Sequence, residues 1–293
     1  MGVNLRADRV VATTDSCPGP PVTIRQQLYE FASALAAIRR IAGVLCLVEF
    51  SARLLLNAPS VLKSRSLASV DRAMGSRLRT FRVREAMIRL EGPLFGGARE
   101  IYGHEVYCSV PGFDLRGGDT VVDLGANAGV FTILAALLCR RVVAVEAQWG
   151  FIEELRRNVE LNHCADNVAI EFGLIGGRSG LFSDTRRLRS ASHYQAEPPQ
   201  LTIRNLVDRY AIDRIDLLKV DIEGSEFDLF NDSPEWLECV QRIAMEVHRE
   251  FGDLGVLVRQ LKDNGFDVSL VDNGGAVVTS IQESSGYLFA TRR

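Results

Sequence analysis

Lysine is scarce in this chain. Only Lys63, Lys219 and Lys262 occur among 34 basic side chains, and the rest are arginine. A bias of that kind follows genome base composition and assigns no partner. The six cysteines (17, 46, 108, 139, 164 and 239) form no CxxC or CxxH pair. That excludes a zinc ribbon or disulfide framework, fits a reducing compartment, and makes the cytoplasm the expected location. Long uncharged runs are also missing. The stretch from Ile41 to Val48 is flanked by Arg39 and Arg40 and by Glu49 and Arg53, well short of the ~20 apolar residues that span a bilayer. Residues 1–23 carry Asp8, Asp15, Pro18, Pro20 and Pro21 but no apolar core, which excludes a secretory signal and predicts a loose leader over 1–25.

What is present is globular. Of 293 residues, 47% are hydrophobic and 24% charged, so a full core can form without staples. Charge is unevenly placed: residues 1–100 carry a net charge of about +7 and the remainder about −10, and pairing between the two parts is the expected use. No nucleic-acid partner is expected. Leu28, Phe31, Leu35, Ile38 and Leu45 fall near helical spacing, which predicts a helix over 26–56 packed on its own domain or on a second copy. Peripheral membrane contact is the alternative. A basic extension is expected over 26–98, with a strand at Phe81–Arg84 and a hairpin around Gly103 within 99–110.

From residue 99 to 293 a single domain is expected. Short apolar runs (TVVDL at 120–124, VVAVE at 142–146, then 168–175, 215–221 and 242–247) alternate with helices at 128–139, 149–162, 201–210, 224–231 and 253–263. This order predicts an α/β fold with a mostly parallel sheet covered on both faces. The last strands, 266–271 and 286–291, are joined by a glycine-rich connection and suit an antiparallel pair, giving seven strands with one reversed.

Two segments carry chemistry. In Asp123-Leu124-Gly125-Ala126-Asn127-Ala128-Gly129, Gly125 permits a tight turn and Gly129 lets the next helix pack closely on the strand. A dinucleotide fingerprint needs glycine where Asn127 stands, to make room for pyrophosphate. Asp123 at the strand end repels phosphate and suits an ammonium, and Glu146 ends the second strand where a carboxylate could take both ribose hydroxyls. Together these favour S-adenosylmethionine over a nicotinamide cofactor. The second segment, Lys219-Val220-Asp221-Ile222-Glu223-Gly224-Ser225-Glu226, delivers Lys219, Asp221 and Glu223 to the ligand edge of the sheet, with Lys219 and Asp221 on one face. Met245-Glu246-Val247-His248 brings an imidazole to the same edge, where it could act as a general base. Asp221 and Glu223 could also hold Mg²⁺. The long segment 176–200 could cover a substrate, with His193 and Tyr194 as contacts.

These stretches, VVDLGANAGVFTILAALL, VVAVEAQWGFIEELRRNVELN, IDLLKVDIEGSEFDLF and IAMEVH, resemble the FkbM family of S-adenosylmethionine-dependent methyltransferases over about 100–291. The resemblance implies a class I methyltransferase fold and methyl transfer to a hydroxyl, often on a sugar or secondary metabolite. It also implies Asp123, Gly125, Asn127, Gly129 and Glu146 at the cofactor, and Asp221 and Glu223 on the substrate side. Ala147-Gln148 departs from the proline and acid that usually follow the glutamate. A nicotinamide oxidoreductase and a non-catalytic scaffold are the competing classes. They are separable by which ligand, if any, stabilises the protein.

Overall fold

The computed structural model describes residues 24–177, 197–231, 234–272, 275–284 and 286–293. The expected leader up to residue 23, most of the 176–200 segment, and His193 and Tyr194 lie outside the described residues; Ile24 and Arg25 begin a helix.

Among the described residues the central sheet has eight strands, and outside it β6 (Leu174–Ile175) pairs in parallel with β7 (Gln200–Leu201). In spatial order the eight are β11 (Val277–Val278), β10 (Phe266–Val271), β12 (Tyr287–Arg292), β9 (Arg242–Glu246), β8 (Leu217–Val220), β3 (Thr120–Leu124), β4 (Arg141–Glu146) and β5 (Val168–Phe172). The pairs from β5 through β9 are parallel, and β12 runs antiparallel to both β9 and β10. This is the expected class I methyltransferase arrangement with its one reversed strand, extended at the edge by the two-residue β11. The order reverses at β3, where β4 lies on one side and β8 on the other, and that switch point is where open α/β sheets bind ligands.

Every residue of β3 and β8 is buried, as parallel strands covered on both faces require. On one face lie α5 (Val130–Leu138) and α6 (Trp149–Leu161), whose Ile133, Leu134, Leu155 and Val159 join the core there. On the other lie α7 (Ile203–Tyr210), α8 (Glu226–Asn231) and α9 (Leu254–Asp263), which contribute Ile203, Leu206, Leu229, Leu257 and Leu261. Thr202 caps α7 through a reciprocal box with Asn205, and Asp253 caps α9.

The basic extension shares the first of these cores. It runs through α1 (Ile24–Leu56), α2 (Ala58–Ser64), α3 (Ala68–Ala73), the hairpin β1 (Arg79–Val83) and β2 (Ala86–Leu90), and α4 (Phe95–Ala98). Phe50 stacks on Phe95, and Phe81 packs edge-on against Tyr102, with centroids 5.7 Å apart in each pair. Asn158 of α6 and Asn162 just after it accept from the backbone N–H groups of Glu91 and Arg89, so the outer edge of β2 is closed by side chains. The 98/99 boundary therefore does not separate two cores. The hairpin expected around Gly103 is instead a wide helical turn, Arg99–Gly103, continuing α4. Close packing on α1 overrides local propensity there: a Cβ on Gly103 would lie 2.9 Å from that of Ala37.

Helix α1 breaks at Gly43, where φ is 80°. Before the break, Ala34, Ala37, Ile38 and Ile41 are buried on the domain, as expected. After it Phe50 is buried, but Val44, Leu45, Val48, Leu55 and Leu56 are exposed. Over Phe31–Leu56 the helix is long and apolar enough, by length and composition, to cross a membrane. The short uncharged run in the sequence concealed this.

Candidate active site

The parallel register sets Asp123 of β3 beside Lys219 of β8. Lys219 Nζ lies 3.1 Å from Asp123 Oδ1 and 3.9 Å from Asp221 Oδ2, and donates to the carbonyls of Gly125 (2.8 Å) and Leu124 (3.3 Å). Thr132 of α5 donates to the other Asp123 oxygen at 2.6 Å. Burial alone would lower the Lys219 pKa, but the charges of Asp123 and Asp221 outweigh it and raise it. A buried charge persists only when paired in this way. Asp123 is fully buried, with Lys219 on one oxygen and Thr132 on the other. Lys219 is buried too, and what it touches is the backbone of the glycine loop.

Above this pair, the loop turns back over the strand ends. Gly125 and Ala126 both donate to the Val145 carbonyl, at 3.0 and 2.9 Å. Gly125 has φ 76°, and a Cβ there would fall 1.7 Å from the backbone oxygen of Asp221. Its lack of a side chain is thus required first by the approach of the β8 end, before any ligand is considered. A Cβ on Gly129 would meet Leu155 of α6 at 2.6 Å, so the close approach there is to the neighbouring helix and not, as the sequence suggests, to the strand. Asn127 is exposed at the loop tip with φ 50°.

Glu146 ends β4 and is 5% exposed. Its Oε2 accepts from the N–H of Asn127 (2.8 Å) and its Oε1 from the N–H of Gln148 (2.7 Å). Burial outweighs these two hydrogen bonds and pushes its pKa up to about 7. One pocket is lined by Gly125, Asn127, Glu146 and Gln148 on one side and by Asp221, Glu223 and Ser225 on the other. A groove of about 590 Å³ opens at the opposite edge of the sheet, beside Thr120, Arg141 and Val168, and none of the residues expected at the cofactor or substrate lines it.

The second wall is built from distant segments. Tyr107 donates to Asp221 Oδ2 at 3.0 Å. The Tyr287 hydroxyl of β12 lies 3.1 Å from both Glu100 Oε1 and Glu246 Oε2. Burial together with the charges of Asp221 and Glu100 raises the Glu246 carboxyl above its usual range. His248 is buried, with Nδ1 2.9 Å from Glu226 Oε1 and Nε2 3.5 Å from Glu223 Oε2. Burial would lower the imidazole pKa, but Glu226, Asp221 and Glu223 push it up to about 10. With these carboxylates around it His248 keeps its proton at neutral pH, which corrects the expectation that it acts there as a free base. The carboxylate that holds it, Glu226, is fully buried and also accepts from the N–H groups of Ile222 and Gly224. Glu226 lay within the quoted motif. Tyr107, Glu100 and Tyr287 had no sequence signal, because they reach the site only through the fold.

The methyltransferase FkbM domain matches residues 123–268. Those residues form a domain of the FkbM methyltransferase family. They include all the residues expected at the cofactor and substrate sides. "Methyltransferase 1" of Beauveria bassiana (strain ARSEF 2860) is 24% identical over 182 residues, covering 51% of this chain and 73% of that protein. Among solved structures, an rRNA methylase from Streptococcus thermophilus is similar at TM-score 0.41 and 13% identity, over 66% of this chain and 95% of that one. Precorrin-6y C5,15-methyltransferase from Geobacter metallireducens GS-15 is similar at TM-score 0.38 and 15% identity, over 65% and 87%. At such scores the structural likenesses add nothing to the topology itself. The chain is a methyltransferase.

Proposed function

We propose that this FkbM-family methyltransferase moves a methyl group from S-adenosylmethionine to a hydroxyl oxygen of a small molecule, a sugar or a secondary metabolite. The observation that carries the reading is one pocket with two acidic walls, Glu146 after β4 and Asp221 with Glu223 after β8. Each oxygen of Glu146 accepts one backbone N–H and keeps capacity for one more donor, which fits the two hydroxyls of a ribose. The glycine loop approaches closely at Gly125, while Asn127 stands where a pyrophosphate would need space. That donor set suits an adenosyl group carrying an amino-acid tail better than a dinucleotide.

When bound, S-adenosylmethionine supplies an electrophilic methyl on a sulfonium. The chain supplies position and proton handling. Glu146 holds the ribose, and the Gly125–Asn127 loop, fixed from below by Lys219, holds the amino-acid end. Asp221, itself fixed by Tyr107, accepts the hydrogen of the acceptor hydroxyl and aims its oxygen. Such alignment supplies much of the rate of a bimolecular displacement, and proton removal adds typically 10²–10⁴-fold. Thermal unfolding tests the cofactor. S-adenosylhomocysteine raises the melting temperature, and at a hundredfold excess over Kd the gain is about 2.7 kcal/mol. A shift with NAD(P) and none with the homocysteine would overturn the reading. Transfer of labelled methyl to hydroxylated glycosides, and not to amines, tests the acceptor class.

A further inference from the structure

Asp221, Glu223 and His248 each turn one ligand atom into the same space, and the three atoms lie within 4.8 Å of one another. Three donors around a single ion at ordinary bond lengths of about 2.0–2.2 Å stand roughly 3–4 Å apart, so a small contraction closes the set. A second, independent feature points into that space. His248 is 9% exposed, and its Nε2 is buried with no hydrogen bond. Its Nδ1 faces the fully buried Glu226. A histidine that donates from one nitrogen to a carboxylate and presents the other to a cluster of oxygens has the arrangement of a metal ligand with its outer partner. Tyr107 and Lys219 lie on Asp221 Oδ2, which leaves Oδ1 for an ion.

We propose that Asp221, Glu223 and His248 bind a divalent first-row transition-metal ion through two carboxylate oxygens and the His248 Nε2. The imidazole is what selects the metal. Magnesium prefers an all-oxygen shell, whereas an imidazole with carboxylates suits manganese, iron or zinc. On binding, the ion replaces the Nε2 proton, which leaves to solvent, and Nδ1–H stays on Glu226. Resting on the methyl-transfer reading, the ion lies beside the acceptor position, where it would acidify a bound hydroxyl. Glu226 is a positioning residue.

The test is titration of chelator-treated full-length protein with Mn²⁺, followed by electron paramagnetic resonance, and with Zn²⁺ by calorimetry. One ion per chain is expected. His248→Ala should weaken it at least tenfold and Glu226→Gln by about 10–100-fold, with Mg²⁺ weaker than Mn²⁺. Both variants should keep the thermal shift with S-adenosylhomocysteine, which shows that they are folded. Absence of saturable Mn²⁺ or Zn²⁺ binding, or equal binding in His248→Ala, overturns the metal site. If the homocysteine shift persists in that sample, the cofactor reading stands; if the shift is missing from the wild type, that reading fails on its own.

A different observation carries a second inference. Beyond Gly43, one side of α1 exposes Val44, Leu45, Val48, Leu55 and Leu56, and α2 adds Leu62 at 78% exposure. Between residues 31 and 66 the only acid is Glu49, which is paired with Arg77 and Arg79, while Arg39, Arg53, Lys63 and Arg65 are exposed. An aliphatic face set among cations complements an anionic lipid surface. We infer that this face lies on the headgroup region of an anionic bilayer, with the buried side of α1 remaining on the domain. The full-length protein should sediment with vesicles of phosphatidylserine and phosphatidylcholine and less with phosphatidylcholine alone, and Leu45→Asp with Leu55→Asp should abolish it. No vesicle binding, or a wild-type dimer that the double variant converts to monomer, would overturn it; the dimer result would assign the face to a second copy.

Discussion

The two walls of the pocket differ in how they are made. The wall at Glu146 comes from one continuous run, β3, the glycine loop, α5 and β4, and its contacts are short in sequence: Asn127 to Glu146, Thr132 to Asp123, Gln148 to Glu146. The wall at Asp221 is assembled across the chain. Tyr107 reaches Asp221 over 114 residues, and Tyr287 reaches Glu100 over 187. A wall encoded locally serves a ligand common to a family. One gathered from residues 100–107 and the last strand can vary with the acceptor while the first stays intact. Affinity for the cofactor and turnover should therefore respond to different residues.

The largest effect should come where the walls share a foundation. Lys219→Met leaves Asp123 buried without its cation, and loss of about 3–5 kcal/mol of stability is expected in chemical denaturation. A stability close to wild type would mean that the pair is dispensable and the walls are independent even at their base. Next, Asp221→Asn should lose at least about 10²-fold in turnover once an acceptor is in hand, the lower range for a lost acid–base group. Full turnover would reduce this wall to sheet-edge structure. Glu146→Ala should act on the other side, weakening the cofactor by about 1.5–3 kcal/mol, the range for hydrogen bonds to a charged group.

The smallest effect is a pH dependence that separates folding from binding. Folding raises the Glu146 pKa to about 7. Its contribution to stability is therefore full below its unfolded value and is lost as pH rises through 7. Cofactor affinity runs the opposite way, because the ionised carboxylate is the better acceptor, and it should rise between pH 6 and 8. Glu146→Gln should flatten both slopes. Titrations and melting curves across that range check it.

The same division governs what the sequence made legible. The alternation of strands and helices, the reversed strand, the glycine loop and the place of Glu146 followed from short apolar runs, helical spacing and motifs contained in one βαβ unit. The hairpin expected around Gly103 failed because α1 packs on that segment, a contact across more than 60 residues that no local pattern encodes. Asp123 ends a strand beside the loop, a place where the sequence suggests a ligand contact. Only the β3–β8 register shows that Lys219 and Thr132 already hold it. His248 was found by its place after β9, but its protonation depends on Glu226, Asp221 and Glu223, which the fold brings around it. The exposed half of α1 is hidden in the sequence because the spacing of charges does not show which face the domain covers.

Calorimetric titration of S-adenosylhomocysteine into the wild type, Glu146→Ala and Asp221→Asn tests the division between the walls most directly. The account predicts an affinity loss of about 10–150-fold in Glu146→Ala, equivalent to the hydrogen-bond energy given above. It predicts a change within a few-fold in Asp221→Asn. Unchanged affinity in a folded Glu146→Ala protein, or an equal loss in both variants, would contradict it.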